Sequence, residues 1–155
     1  MDKRIAVGCD EAALEMKEAI KALLESKGYE VIDKGVYDKT PVLYPDIAVA
    51  VCKEILNGNA ERGILMCGTG IGMAMSANKV PGIRAAVCHD MFSTERSRKS
   101  NNAQVMCMGA RVIGMELAKL LVSHWLTCDF AGGGSTAKVE RIMEYEQQFM
   151  REGVK

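Results

Sequence analysis

The sequence has no excess of charge of either sign and no long apolar run. Twenty basic residues balance twenty acidic residues in a chain of 155, and no basic cluster stands out, so we expect no nucleic-acid partner. No apolar run approaches the roughly 20 residues that a membrane-spanning helix needs. The N-terminal segment also lacks the apolar core of a signal peptide. We therefore expect a cytoplasmic protein with no membrane partner.

The sequence also lacks any C-x-x-C pair. Its six cysteines, at positions 9, 52, 67, 88, 107 and 128, fall mostly within apolar, strand-like segments. Disulfide frameworks belong to small secreted chains, so we expect reduced thiols that pack as small apolar residues. Cys9, Cys67, Cys88 and His89 could approach one rim of a sheet, but their spacing matches no usual zinc pattern. We therefore expect no metal site among them.

Strand-like and helix-like segments alternate along the chain, which has the length of a single domain over residues 1–155. Apolar spacing and glycine or proline breaks predict strands at about residues 3–8, 29–33, 62–66, 83–87 and 104–108. Helices are predicted at about 13–27, 46–57, 71–78, 93–100, 115–126 and 136–151. Asp46 and Ser93 are the expected N-caps of the second and fourth helices.

This alternation predicts an α/β fold with a parallel sheet covered on both faces, because the strands are too apolar to leave one face in water. Ligands of such sheets bind beyond the carboxyl ends of the strands. The residues just past those ends are Asp10, Cys67 with its glycines, His89 with Asp90, and the segment 109–111. We expect all of them at one rim.

The most informative stretch is residues 64–73, an apolar strand that ends in Cys67 and continues into Gly68-Thr69-Gly70-Ile71-Gly72. It is neither a Walker loop nor a G-x-G-x-x-G motif. Alternating glycines allow close approach to the backbone, and the helix that follows directs N–H groups at an anion. The same field would stabilise a thiolate. A nucleophile or base beside an anion hole is one interpretation; a tight turn with a structural cysteine is the other.

Other candidates at the rim each have two interpretations. Asp10 is either a substrate contact or an N-cap. His89 and Asp90 could form a general acid–base pair, although exposed loop histidines are common. Arg111 could hold an anionic group or pair with a carboxylate. His124, on the predicted helix 115–126, is expected to be structural or at the surface.

Taken together, these motifs resemble the family of type B ribose-5-phosphate isomerases and galactose-6-phosphate isomerases, which are aldose–ketose isomerases. The resemblance covers nearly the whole chain. The motifs that carry it are Gly8-Cys9-Asp10, Tyr44-Pro45, Cys67-Gly68-Thr69-Gly70-Ile71-Gly72, residues 77–85, residues 101–105 and residues 109–114.

The resemblance implies a Rossmann-like three-layer α/β/α sandwich with a five-stranded parallel sheet. It also implies a homodimer or dimer of dimers with active sites between subunits, and no metal or organic cofactor. The C-terminal helix, at about 136–151, is expected to pack on a partner subunit.

The resemblance also assigns roles to individual residues. Cys67 is expected to shuttle a proton between C1 and C2 of the open-chain sugar. The anion hole for the cis-enediolate is expected from Gly68, Thr69, Gly70 and Gly72. Asp10 and Tyr44 are expected to contact sugar hydroxyls, and Asn101 to reach in from the partner.

The sequence departs from the family pattern at four positions. Glu11 stands where the ribose-phosphate enzymes have histidine, and Ser100 replaces the histidine that acts as their ring-opening acid. Gly134 and Lys138 stand where the pattern has arginines. Because Glu11 would repel a phosphate, we expect a sugar other than ribose 5-phosphate, unphosphorylated or with its phosphate at a different reach.

Arg111 and Lys138 are the candidates to hold an anionic end, although a lysine on the last helix is commonly a solvated charge. Ring opening would be assisted by His89 or left to solvent, with Ser100 at the position of the family acid. The function predicted is that of a cofactor-independent aldose–ketose isomerase. The alternatives are a catalytically weak sugar-binding paralogue and one subunit of a hetero-oligomeric isomerase.

Overall fold

The computed structural model describes residues 3–153, which form a five-stranded sheet flanked by helices. The strands are β1 (Arg4–Cys9), β2 (Glu30–Asp33), β3 (Arg62–Cys67), β4 (Ala85–Val87) and β5 (Val105–Gly109). The helices are α1 (Leu14–Ser26), α2 (Tyr44–Leu56), α3 (Ile71–Ala77), α4 (Met91–Lys99), α5 (Met115–Leu126) and α6 (Thr136–Glu152). Two short 3₁₀ turns, Glu11–Ala13 and Gly133–Ser135, precede α1 and α6.

All strand pairs are parallel, and the strand order is β2-β1-β3-β5-β4. The chain leaves β1 towards one edge of the sheet and leaves β3 towards the other. The crevice between the carboxyl ends of β1 and β3 is therefore the switch point where ligands of such sheets bind. The predicted Rossmann-like α/β fold with a five-stranded parallel sheet is confirmed.

Alternate residues of the central strands face two separate apolar layers. On one face, Ile64 and Met66 of β3 pack in a core that contains Leu121 and Trp125 of α5 together with α1. On the other, Leu65 and Cys67 pack against α2 and α3. Every residue of β3 is buried, which explains its nearly continuous apolar sequence. The six cysteines are unbonded and buried, as the sequence predicted.

Both predicted N-caps are wrong. The second helix begins at Tyr44, because Pro45 fits the first turn of a helix, where its missing N–H is not needed; Asp46 lies within that turn. The fourth helix begins at Met91, and its N-cap is Asp90, whose carboxylate accepts a hydrogen bond of 2.7 Å from the Ser93 N–H. An aspartate three residues earlier thus takes the role expected of Ser93.

One charged side chain lies inside the first core. Lys17 of α1 has no exposed surface, and its Nζ lies 2.9 Å from each carboxylate oxygen of Asp33 at the end of β2. Burial alone would raise the pKa of Asp33, but hydrogen bonds from Lys17 and from the Gly35 N–H hold that pKa below its usual value. The pair fixes α1 to the end of β2.

No helix within residues 3–153 combines the length and apolar character needed to cross a membrane.

Candidate active site

The centre of the candidate site is the turn between β3 and α3. Strand β3 ends at Cys67, and the chain turns through Gly70, whose φ of +77° lies in the left-handed region that favours glycine. The Gly70 N–H donates a hydrogen bond of 3.1 Å to the Cys67 sulfur. The thiol therefore lies at the N-terminal end of α3, in hydrogen-bond contact with a backbone donor.

The end of β5 packs against this turn and holds it in place. The N–H groups of Ala110 and Arg111 donate to the carbonyls of Cys67 and Gly68 at 2.8 and 3.0 Å. The strand and the turn approach so closely that a methyl group on Gly109 would lie 2.6 Å from the Thr69 carbonyl carbon. A methyl group on Gly70 would similarly lie 2.9 Å from the backbone of Met108. Backbone contacts with β5 thus hold the turn at Gly70 and Gly109.

Three predicted substrate contacts surround the turn. The guanidinium of Arg111 lies beside Gly68, where a methyl group would be 3.3 Å from its Nη1. The Tyr44 ring covers Gly72, with its hydroxyl oxygen 2.6 Å from the position of a Cβ. Asp10 follows β1 on the other side of the switch point. The structure therefore brings Asp10, Tyr44 and Arg111 to the glycine turn.

Asp10 also takes the N-cap role that was its alternative interpretation. Its Oδ1 accepts a hydrogen bond of 3.0 Å from the Ala12 N–H. Burial and the neighbouring Glu11 carboxylate raise the pKa of Asp10, and the positive charge of Arg111 partly offsets them. The Glu11 carboxylate accepts from the Val42 N–H at 3.3 Å, which ties the segment before α2 to the rim.

His89 contacts the end of β5, the strand against which the glycine turn packs. Its Nε2 accepts a hydrogen bond of 2.8 Å from the Gly109 N–H, which requires a neutral ring with the proton on Nδ1. Burial lowers the pKa of His89, and Asp90 partly offsets that effect. The Asp90 carboxylate is used as the cap of α4, so the hydrogen bonds of the two side chains do not join them as the expected acid–base pair.

Ser100 and Asn101 lie at the other end of α4. The Ser100 hydroxyl accepts a hydrogen bond of 3.2 Å from Nη1 of Arg96. Asn101 is exposed and lines a cavity of about 390 Å³. Arg84 and Arg96 also line this cavity, but the residues of the glycine turn do not. Sequence analysis missed Arg96, although its four-residue spacing from Ser100 in a predicted helix was a usable signal.

Lys138 is exposed on α6, a helix that buries only Val139 among its described residues. The structure therefore does not bring Ser100, Asn101 or Lys138 to Cys67 within one chain.

Two of the four side chains considered as metal ligands at the rim, Cys9 and Cys88, are buried thiols. Burial raises the pKa of Cys9 to about 11 and also raises that of Cys88.

Known proteins are similar to this chain over most of its length. Residues 5–142 match the ribose/galactose isomerase family. The chain is 54% identical to a D-erythrulose-4-phosphate isomerase from Pectobacterium atrosepticum, covering 93% of this chain and 95% of the relative. It is 51% identical to a ribose-5-phosphate isomerase B from Listeria innocua, covering 94% and 98% of the two chains.

The structure superposes on ribose-5-phosphate isomerase B from Clostridium thermocellum with a TM-score of 0.93. The two chains are 40% identical, and the match covers 94% of this chain and 99% of the other. The fold, the glycine turn after β3 and these relatives agree, and we conclude that the chain belongs to the ribose/galactose isomerase family and is an aldose–ketose isomerase.

Proposed function

We propose that Cys67 is the base that moves a proton between C1 and C2 of an open-chain sugar phosphate. The observation that carries the proposal is the hydrogen bond from the Gly70 N–H to the Cys67 sulfur. The thiolate takes the proton from the carbon next to the carbonyl, which leaves a cis-enediolate. Returning that proton to the neighbouring carbon, while the hydroxyl proton passes from one enediolate oxygen to the other, completes the exchange of aldose and ketose.

The enediolate oxygen needs stabilisation as its charge develops, because a proton next to a carbonyl is only weakly acidic. Backbone donors of residues 68–72 supply it, with Thr69 adding a hydroxyl and Arg111 a positive charge beside Gly68. Each such donor contributes roughly 3–4 kcal/mol when it is directed at the developing charge. Asp10 and Tyr44 then orient the sugar hydroxyls.

The site is completed, in this proposal, by a second copy of the chain in a homodimer or a dimer of dimers. Large apolar side chains are exposed around the glycine turn and the start of α4, which is unusual for a surface that stays in water. They are Leu43, Ile71, Met75, Met91 and Phe92. The partner would bring Ser100 and Asn101 to the turn, and a cytoplasmic location belongs to the same proposal.

The C-terminal helix α6 also exposes large apolar side chains. Its exposed apolar side chains are Ile142, Tyr145, Phe149 and Met150. We propose that this face packs on the partner subunit and that Lys138 is placed near the anionic end of the substrate there.

The substrate we propose is a tetrose 4-phosphate and its 2-keto isomer. The phosphate esterifies O4, the oxygen that would otherwise close a furanose ring on C1, so such a sugar stays open and needs no ring-opening acid. Ser100 stands where the family has that acid. Arg111 lies directly against the turn, which suits a phosphate only a few bonds from the reacting carbons. The relative from Pectobacterium is named for a substrate of this kind.

The test compares turnover of D-erythrulose 4-phosphate and D-ribose 5-phosphate by the unmodified protein and by Cys67→Ala. We expect turnover of the tetrulose phosphate, and a loss of about 10²–10⁴-fold in kcat on removing the base. Undiminished turnover by Cys67→Ala would refute the role of the thiol.

A second variant tests the choice of sugar. Ser100→His restores an acid at the ring-opening position, so it should raise activity on ribose 5-phosphate and leave activity on the open-chain tetrulose phosphate within about threefold. If the unmodified protein already prefers ribose 5-phosphate, the substrate proposal is wrong while the isomerase mechanism stands. Binding without turnover of either sugar would favour the sugar-binding paralogue, and co-purification of an unlike family member would favour the hetero-oligomer.

A further inference from the structure

A group of three metal-ligating side chains lies between α4 and α5, outside the candidate active site. Glu95 comes from the middle of α4, His124 from the last turn of α5, and Cys128 from just beyond that helix. His124 Nε2 lies 2.9 Å from Glu95 Oε2 and 3.7 Å from Cys128 Sγ. The three ligand atoms all lie within 4.8 Å of one another.

These separations are close to those around a tetrahedral zinc ion. Zinc bonds of about 2.0–2.3 Å to nitrogen, oxygen and sulfur place neighbouring ligand atoms roughly 3.3–3.6 Å apart. The nitrogen–oxygen and nitrogen–sulfur distances fall on either side of that range, and the oxygen–sulfur distance is at most 4.8 Å. Side-chain rotations that bring the Glu95 oxygen and the Cys128 sulfur together would place the three atoms around one ion. We propose that Glu95, His124 and Cys128 form a binding site for zinc or a similar borderline divalent cation.

The sulfur ligand is held by the surrounding backbone. The Cys128 N–H donates to the Trp125 carbonyl at 3.2 Å, and the Cys128 carbonyl accepts from Nη2 of the buried Arg62 at 2.8 Å. Cys128 is 1% exposed. The side chains of His124 and Glu95 are 30% and 27% exposed, so an ion has access from the solvent side, where a water molecule would take the fourth position.

The charges around the three side chains favour zinc over a hard cation such as calcium or magnesium. Lys99 Nζ lies 3.4 Å from the same Oε2 atom of Glu95, and Arg96 Nη2 lies 3.1 Å from Oε1. Calcium and magnesium need several oxygen ligands, and here two cations already neutralise the one carboxylate. Zinc gains its affinity from the imidazole and the thiolate instead, and only Lys99 has to move.

This site is independent of the proposed isomerase chemistry. The ion binds Oε2 of Glu95, whereas Arg96, which contacts Ser100, is held by Oε1. We therefore expect the aldose–ketose reaction to proceed with or without the ion, so a failure of one proposal does not affect the other.

The experiment titrates the purified full-length protein with Co²⁺ as a spectroscopic substitute for zinc. A thiolate-to-cobalt charge-transfer band should appear and saturate at one ion per chain, and Zn²⁺ should displace it. The band should be absent in Cys128→Ser. His124→Gln and Glu95→Gln should weaken binding by at least about tenfold, because losing a ligand costs no less than losing its outer-shell support.

Cys67→Ala and His89→Ala are the matched controls, since each removes another thiol or imidazole and should leave the band unchanged. Circular dichroism checks that each variant is folded. If Cys128→Ser does not fold, His124→Gln decides, because its side chain is partly exposed. No band in the unmodified protein, a band that persists in His124→Gln with unchanged affinity, or its loss in Cys67→Ala would overturn the proposal.

Discussion

The contact between β5 and the glycine turn can be tested by adding one methyl group. In Gly109→Ala the new Cβ would lie 2.6 Å from the carbonyl carbon of Thr69 and 2.8 Å from the carbonyl oxygen of Gly68. Both atoms belong to the backbone, so no side-chain rotation relieves the contact. The turn itself must move away from the strand.

The distances give the size of the effect. Carbon atoms in favourable contact are about 3.5–4.0 Å apart, so the turn must shift by about 1 Å. A displacement of that size at a reacting centre costs on the order of 100-fold in rate. Overpacking of this kind also lowers the free energy of unfolding by about 1–3 kcal/mol. We therefore expect a folded variant with kcat/KM reduced about 100-fold.

Gly114→Ala is the matched control, because no described atom lies within 4 Å of a Cβ placed there. Gly114 is the N-cap of α5, and the change should cost less than about 1 kcal/mol of stability and leave turnover nearly unchanged. The assays are steady-state isomerase kinetics and urea denaturation of both variants. If Gly109→Ala is folded and retains kcat/KM within about threefold of the unmodified protein, catalysis does not depend on the position of the turn, and the prediction is wrong.

Three further predictions use the same assays. The pKa of His89 in the folded state is lowered from 6.5, so the unfolded chain binds a proton at a higher pH than the folded chain does, and stability should fall as pH falls below about 6.5. Between pH 7.5 and 5.5, the urea midpoint of a His89→Gln variant should fall by less than that of the unmodified protein. An equal fall would contradict this prediction. Asp33→Ala removes the carboxylate that accepts two hydrogen bonds from the buried ammonium of Lys17, and leaves it the Val36 carbonyl and the exposed Glu18 carboxylate. The change should lower the free energy of unfolding by up to about 3–5 kcal/mol, whereas Lys17→Met should cost clearly less in the same denaturation experiment. Equal costs would argue against the burial penalty. Gly72→Ala places a methyl group 2.4 Å from the Tyr44 ring. Because that ring can rotate outwards, KM should rise while the free energy of unfolding changes by less than about 1 kcal/mol. An unchanged KM would show that Tyr44 does not contact the substrate.

The sequence predicted the fold because its signals were local and repeated. The apolar strand segments, the helical spacing of apolar residues and the glycine breaks indicate the same strands and helices. The turn after Cys67 combines several such signals within ten residues. The errors lie at helix starts, where Asp46 and Ser93 had the right residue type. There the choice depended on a neighbour, Pro45 in one case and Asp90 in the other.

Contacts between distant segments could not be predicted. The spacing of Met16 and Ile20 marks the buried face of α1 but gives no sign that Lys17 is buried with it, because its partner Asp33 belongs to another element. His124 was expected to be structural or at the surface, and its four-residue spacing from Cys128 was the one hint of a shared site. Glu95 joins them only through the packing of α4 on α5.

The close fit of the turn against β5 has a consequence for changing what this enzyme accepts. Gly70 and Gly109 lie against backbone atoms that leave no room for a methyl group, whereas Glu11, Ser100 and Lys138 lie on segments outside the turn. Substrate choice can thus be reprogrammed at the periphery without redesigning the chemistry. Directed evolution for a new sugar should accumulate its changes at those outer positions and leave Cys67, Gly70 and Gly109 untouched.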